Sequence, residues 1–176
     1  MRWMTRARTP FLAGAVVLLC AAIVLIARTR ADDWGNLTRY RQANRTVTGA
    51  QVVFMGDSIT DYWPADGRLF KNNPGYVGRG IAAQVTGQML RRFEPDVLTL
   101  RPRAVVILGG INDLAGVAGE VTNEVIQRNI ASMSELAAAS NIEVVLASVL
   151  PISAYHQAGH TADPETQRLM ERIRAI

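Results

Sequence analysis

The chain has 176 residues, 49% of them hydrophobic, which is enough for one α/β-sized core and too few for two. Its formal charge of +4 is concentrated at one end: Arg2, Arg6, Arg8, Arg28 and Arg30 precede residue 31, and without those five, 14 basic residues face 15 acidic ones, a net of −1. The remainder has no basic patch, which argues against nucleic acid as a partner, and the single cysteine, Cys20, excludes a disulfide-stapled design.

Three arginines precede Phe11 to Ala27, an uncharged run of 17 residues. As a helix it spans about 25 Å, at the short end of what crosses a bilayer. The arginine-rich first flank keeps that end cytoplasmic. Residues 1–31 are therefore expected to be a signal peptide, cut near Thr29-Arg30-Ala31, or an uncleaved N-terminal membrane anchor. Both predict an exported domain, periplasmic or extracellular, formed by residues 32–176. Leu19 stands where a lipoprotein signal needs a small residue, so Cys20 is not a lipid attachment point.

Beyond this segment helix and strand periods alternate. Asp32 to Asn44 places Trp34, Leu37, Tyr40 and Arg41 at helical intervals, and Ala50 to Gly56 reads as a short buried strand. Gly75 to Ile81 is a weaker strand candidate. Ala104 to Gly110 is a continuous apolar run bounded by Pro102 and paired glycines, the pattern of a strand buried on both faces. Asn123 to Ser140 carries Val125, Ile126, Ile130, Met133, Leu136 and Ala137 on one side, and Ile142 to Pro151 follows as another buried strand. Asp163 as cap and Pro164 at the first position open a last helix, with Leu169, Met170, Ile173 and Ile176 along one face. This alternation predicts a parallel sheet with helices on both faces, in which ligands bind beyond the carboxyl ends of the strands.

The polar motifs sit at those ends. Gly56-Asp57-Ser58 follows the first strand, Gly80 the second, and Gly109-Gly110-Ile111-Asn112-Asp113 the third. Taken singly each has a structural reading. Ser58 with Asp61 three residues on matches a helix-capping pattern, Gly80 suits a tight turn, and Asn112 suits a cap. Taken together they supply what acyl transfer needs: a hydroxyl at an exposed strand-to-helix turn and donors aimed at a developing oxyanion. The two roles of Ser58, cap and nucleophile, are compatible, because a helix start also presents free amides.

In these blocks the sequence resembles the SGNH or GDSL-type esterases and lipases, from about Trp34 to the last residue. The blocks stand here as Gly56-Asp57-Ser58-Ile59-Thr60, Arg79-Gly80-Ile81 and Gly109-Gly110-Ile111-Asn112-Asp113. The resemblance implies a flavodoxin-like three-layer α/β sandwich, with Ser58 as nucleophile. The Gly80 amide and the Asn112 side chain would join the Ser58 amide in an oxyanion hole. It implies a small acyl-ester, carbohydrate-ester or lipid substrate and no cofactor or metal. Gly78 replaces the family's common asparagine, and Ala82-Ala83 replace a usual glycine pair.

The family's fourth block, an Asp-x-x-His that provides the general base, has no counterpart. The chain's two histidines, His156 and His160, lie in the loop after the fourth strand, and either is a candidate substitute base with Asp163 to orient it. The expectation is that a last strand and helix carrying the base are missing, which would leave this chain weak or inactive. Two readings of other classes compete: a non-catalytic, membrane-tethered binding domain, and a flavodoxin-like module binding a phosphate or nucleotide around Gly56. Asp57 and Asp61 would repel an anion in the latter. Trp63 and Phe70 either line an acyl or sugar pocket or pack the helix after the nucleophile turn.

Overall fold

The computed structural model describes residues 33–63, 67–149, 164, 168, 171 and 172. The chain divides into two compact units, Met1–Trp34 and Gly35–Ile176, and the described helices and strands belong to the second. The expected membrane segment, Phe11 to Ala27, lies outside the described residues, as do His156, His160 and Asp163. No helix among the described residues is long and apolar enough to cross a membrane.

Four strands form one parallel sheet in the order β2-β1-β3-β4: β1 (Val52–Gly56), β2 (Tyr76–Gly80), β3 (Ala104–Leu108) and β4 (Glu143–Leu146). Parallel neighbours need crossover connections. These contain α2 (Ser58–Tyr62) and α3 (Arg68–Asn72) after β1, α4 (Thr86–Asp96) after β2, and α5 (Ile111–Leu114) and α6 (Asn123–Ala139) after β3. A short α1 (Arg41–Asn44) precedes the sheet. The helical period expected from Asp32 onward yields only this last turn: Asn36 takes a left-handed φ of 53°, and residues 37–40 form turns.

Successive strand residues point to opposite faces, so the apolar run of β1 needs cover on both. Val53 and Met55, with Val105 and Ile107 of β3, join Met89 and Phe93 of α4 and Met133 and Ala137 of α6 in one buried cluster. Phe54 points the other way and meets Trp63, Phe70 and Tyr76 ring to ring at centroid distances of 5.5, 5.4 and 5.2 Å. Trp63 and Phe70 therefore pack the second face of the sheet. Helical segments on both faces give the expected three layers. Burying a side chain such as Phe93 in this way stabilises the fold by roughly 1.5–3 kcal/mol.

The fourth strand is apolar enough for burial on both faces, yet the family's strand order is expected to leave it as an open edge. Within the described sheet β4 is an edge strand, and Val145 and Leu146 are 46% and 57% exposed. The order of the strands places the functional end. From β1 the chain moves one way to β2, then back across to β3 and β4, so the direction reverses between β1 and β3. That switch point opens a crevice outside the carboxyl ends of those strands.

Candidate active site

The turn that ends β1 is built by Asp57, whose Oδ1 accepts a hydrogen bond from the Ile59 amide at 3.0 Å and caps α2. Ser58 is the first residue of that helix and is partly exposed. This corrects the capping role expected of Ser58. An aspartate one position earlier satisfies the free amide, as capping carboxylates commonly do, and the hydroxyl has no part in holding the helix start.

Gly56 pairs in register with Gly80 on one side and Leu108 on the other. Ser58 two residues past Gly56, Gly80 itself, and Asn112 four residues past Leu108 thus share one end of three adjacent strands. Gly80 is required by close approach: a Cβ there would lie 2.0 Å from the Asp61 amide nitrogen. Helix α2 consequently rests directly on the end of β2. Asp61 reinforces the contact, accepting from the Ala82 amide at 3.0 Å and pairing with Arg39 at 3.3 Å. Tyr40 donates its hydroxyl hydrogen to the Gly80 carbonyl.

After β3, Gly110 adopts φ 112°, a conformation that side chains rarely take, and turns the chain into α5. This places Asn112, 5% exposed, with its Nδ2 donating to the Gln84 carbonyl at 2.9 Å. The neighbouring Asp113 accepts from the Thr86 amide at 2.8 Å and the Thr86 hydroxyl at 2.6 Å, fixing the start of α4. Asn129 of α6 donates to that same hydroxyl at 3.0 Å. Beside this loop a cavity of about 320 Å³ opens at the ends of β3 and β4, lined by Ile107, Gly109, Ile126, Ile130, Leu146 and Val149 among others. Among the described residues no group of three His, Cys, Asp or Glu side chains is placed to hold a metal ion.

Two buried carboxyls shape the electrostatics. Burial raises the Asp57 pKa, opposed by the Ile59 amide bond and reinforced by the nearby charge of Asp113. Its Oδ2 has no hydrogen-bond partner among the described residues. Burial likewise raises Asp113, opposed by its two bonds from Thr86. With a folded pKa above the unfolded value of about 3.9, Asp57 favours folding most at low pH, and that contribution is lost as pH rises through the folded pKa. Asp57→Asn keeps an acceptor for Ile59 and removes the charge. The variant is expected to melt above the wild type at neutral pH, by roughly 2–4 °C for each kcal/mol regained, and to converge with it near about pH 3. Thermal melts across that range check it, and a gap that persists in acid would assign the gain to something other than ionisation.

A doubly wound parallel sheet that sets Ser58, Gly80 and Asn112 at one end of three adjacent strands is a flavodoxin-like α/β architecture. The chain belongs to the GDSL-like Lipase/Acylhydrolase family, whose sequence profile matches residues 54–176. Two solved structures are more than a third identical to it over the aligned residues. One, from Bacteroides fragilis and described as an acylhydrolase, is 38% identical with a TM-score of 0.69 over 81% of this chain and 72% of its own. The other, a GDSL-like lipase from Bacteroides thetaiotaomicron, is 39% identical with a TM-score of 0.68 over 80% of this chain and 72% of its own. A lipase/acylhydrolase from Enterococcus faecalis, at 21% identity and a TM-score of 0.53 over 72% of this chain and 70% of its own, shares the fold. No curated protein is significantly similar to this chain.

Proposed function

We propose that the protein is an exported serine ester hydrolase that works through an acyl-enzyme on Ser58. The observation that carries this reading is the register of the sheet, in which Gly56 faces both Gly80 and Leu108. In the proposed reaction the Ser58 Oγ adds to the ester carbonyl carbon while its proton passes to a general base. The amides of Ser58 and Gly80 and the side chain of Asn112 receive the resulting oxyanion. Collapse expels the alkoxide, which takes up the proton, and attack by water then releases the acid and restores Ser58.

His156 and His160, the two imidazoles of the given sequence, are the substitute candidates for that base, and with neither in that role this chain is weak or inactive. The substrate is a small acyl ester, a carbohydrate ester or a lipid. An uncharged acyl chain suits the largely aliphatic cavity beside Gly109. The phosphate-binding alternative is weakened by Asp57, whose carboxyl occupies the Ile59 amide at the start of α2 and places negative charge there. Export rests on the apolar run Phe11 to Ala27 behind its arginine flank.

The test is hydrolysis of p-nitrophenyl esters of increasing acyl length, with mass spectrometry of the acylated protein, on the wild type, His156→Ala and His160→Ala. The expected result is an acyl adduct on Ser58. Loss of turnover in one histidine variant would identify the base. Folded protein that hydrolyses at the buffer rate and carries no adduct would sink the reading.

A further inference from the structure

Helix α4 holds an arginine with no exposed surface. Arg92 is 0% exposed and spends its guanidinium on four hydrogen bonds. Its Nε donates to Gln84 Oε1 at 2.5 Å, and one terminal nitrogen donates to the Arg79 carbonyl at 2.8 Å and to Asp96 Oδ2 at 3.0 Å. The other terminal nitrogen donates to the Gly56 carbonyl at 2.9 Å. A buried ion pair is a weak source of stability, because removing both charges from water offsets most of their attraction. The pairing with Asp96 therefore does not by itself account for the residue.

The acceptors suggest a different role. The Arg79 carbonyl and the Gly80 N–H belong to the same planar peptide unit, so fixing the oxygen fixes the direction of the N–H. A cationic donor on that oxygen also polarises the unit and strengthens its N–H as a donor. The Gly56 carbonyl lies two residues before Ser58 and already accepts from the Ile81 amide at 3.0 Å, which ties the ends of β1 and β2 together. Gln84, held by Arg92 through its side chain, in turn holds Asn112 through its carbonyl. One guanidinium thus reaches, directly or through one residue, the turns that carry Ser58, Gly80 and Asn112.

We propose that Arg92 is a positioning residue that aims the Gly80 amide and sets the Asn112 side chain for the developing oxyanion; this rests on the ester-hydrolase reading. A lysine carries the charge without the fork and cannot reach Gln84, Arg79 and Gly56 together. The experiment measures fluorophosphonate labelling of Ser58, kcat and KM for p-nitrophenyl acetate, and thermal melting, on the full-length protein and its variants.

Arg92→Lys is expected to lower kcat and the labelling rate by roughly 10- to 100-fold with KM little changed. Asp96→Asn removes the ion pair and none of the strand-end bonds, so it is expected to lower the melting temperature and leave labelling within about twofold. Folded Arg92→Lys that labels at the wild-type rate would overturn the proposal. Should that variant not fold, Gln84→Met decides. It keeps Arg92 and removes the acceptor for Nε, so about tenfold slower labelling supports the proposal and unchanged labelling overturns it. A wild type that labels no faster than Ser58→Ala would instead overturn the hydrolase reading, and the role of Arg92 with it.

Discussion

With His156 or His160 serving as the base, Ser58→Ala is expected to reduce turnover of p-nitrophenyl acetate by on the order of a million-fold, to the level left by binding and residual polarisation alone; with neither in that role the wild type itself stays near that level. It is equally expected to leave the melting temperature within about 1–2 °C of the wild type. The second expectation follows from the capping geometry. Asp57, and not Ser58, satisfies the Ile59 amide, and Ser58 stands partly exposed at the first helical position. Alanine is the better helix former there, so deleting the hydroxyl removes chemistry without removing support. Activity assays paired with thermal melts check both halves. A variant that keeps a few per cent of the rate would move the nucleophile elsewhere, and one that melts well below the wild type would return the capping role to Ser58.

The centre of the sheet was legible in the sequence because β1 and β3 are short apolar runs that give way abruptly to glycine. Val53 to Gly56 and Ala104 to Gly110 show this most clearly, and their polar successors marked the end of the sheet where Ser58 and Asn112 stand. Helix α4 was not legible. Met89 and Phe93, four apart, were its signal, but Arg92 and Asp96 lie on the buried side as well and break the apolar stripe, while Pro95 resembles a stop. An arginine in sequence reads as surface, and only the four acceptors around it show why this one is inside. The cap was misplaced for a related reason: Asp57 and Ser58 are both good capping residues, and their order along the helix start is decided by backbone geometry. Polar residues satisfied by main-chain groups distant in sequence, such as Asn112 on the Gln84 carbonyl or Asp113 on the Thr86 amide, leave no periodic trace.

Asn112→Ala is expected to lower kcat by about 10²- to 10³-fold with KM little changed, the signature of a donor that acts in the transition state more than in the bound ester. The side chain also holds the Gln84 carbonyl, so its removal leaves a buried acceptor short of one donor. That loss costs about 1–3 kcal/mol, and a drop of a few degrees in melting temperature should accompany the kinetic effect. Asn112→Asp separates the two contributions. It preserves size and puts a carboxylate oxygen where the amide nitrogen faced Gln84, so acceptor meets acceptor and negative charge meets the site of the oxyanion. It should therefore be at least as inactive as the alanine variant and less stable. A raised KM with kcat unchanged in Asn112→Ala would instead assign the side chain to holding the substrate, and the oxyanion would then fall to the Ser58 and Gly80 amides.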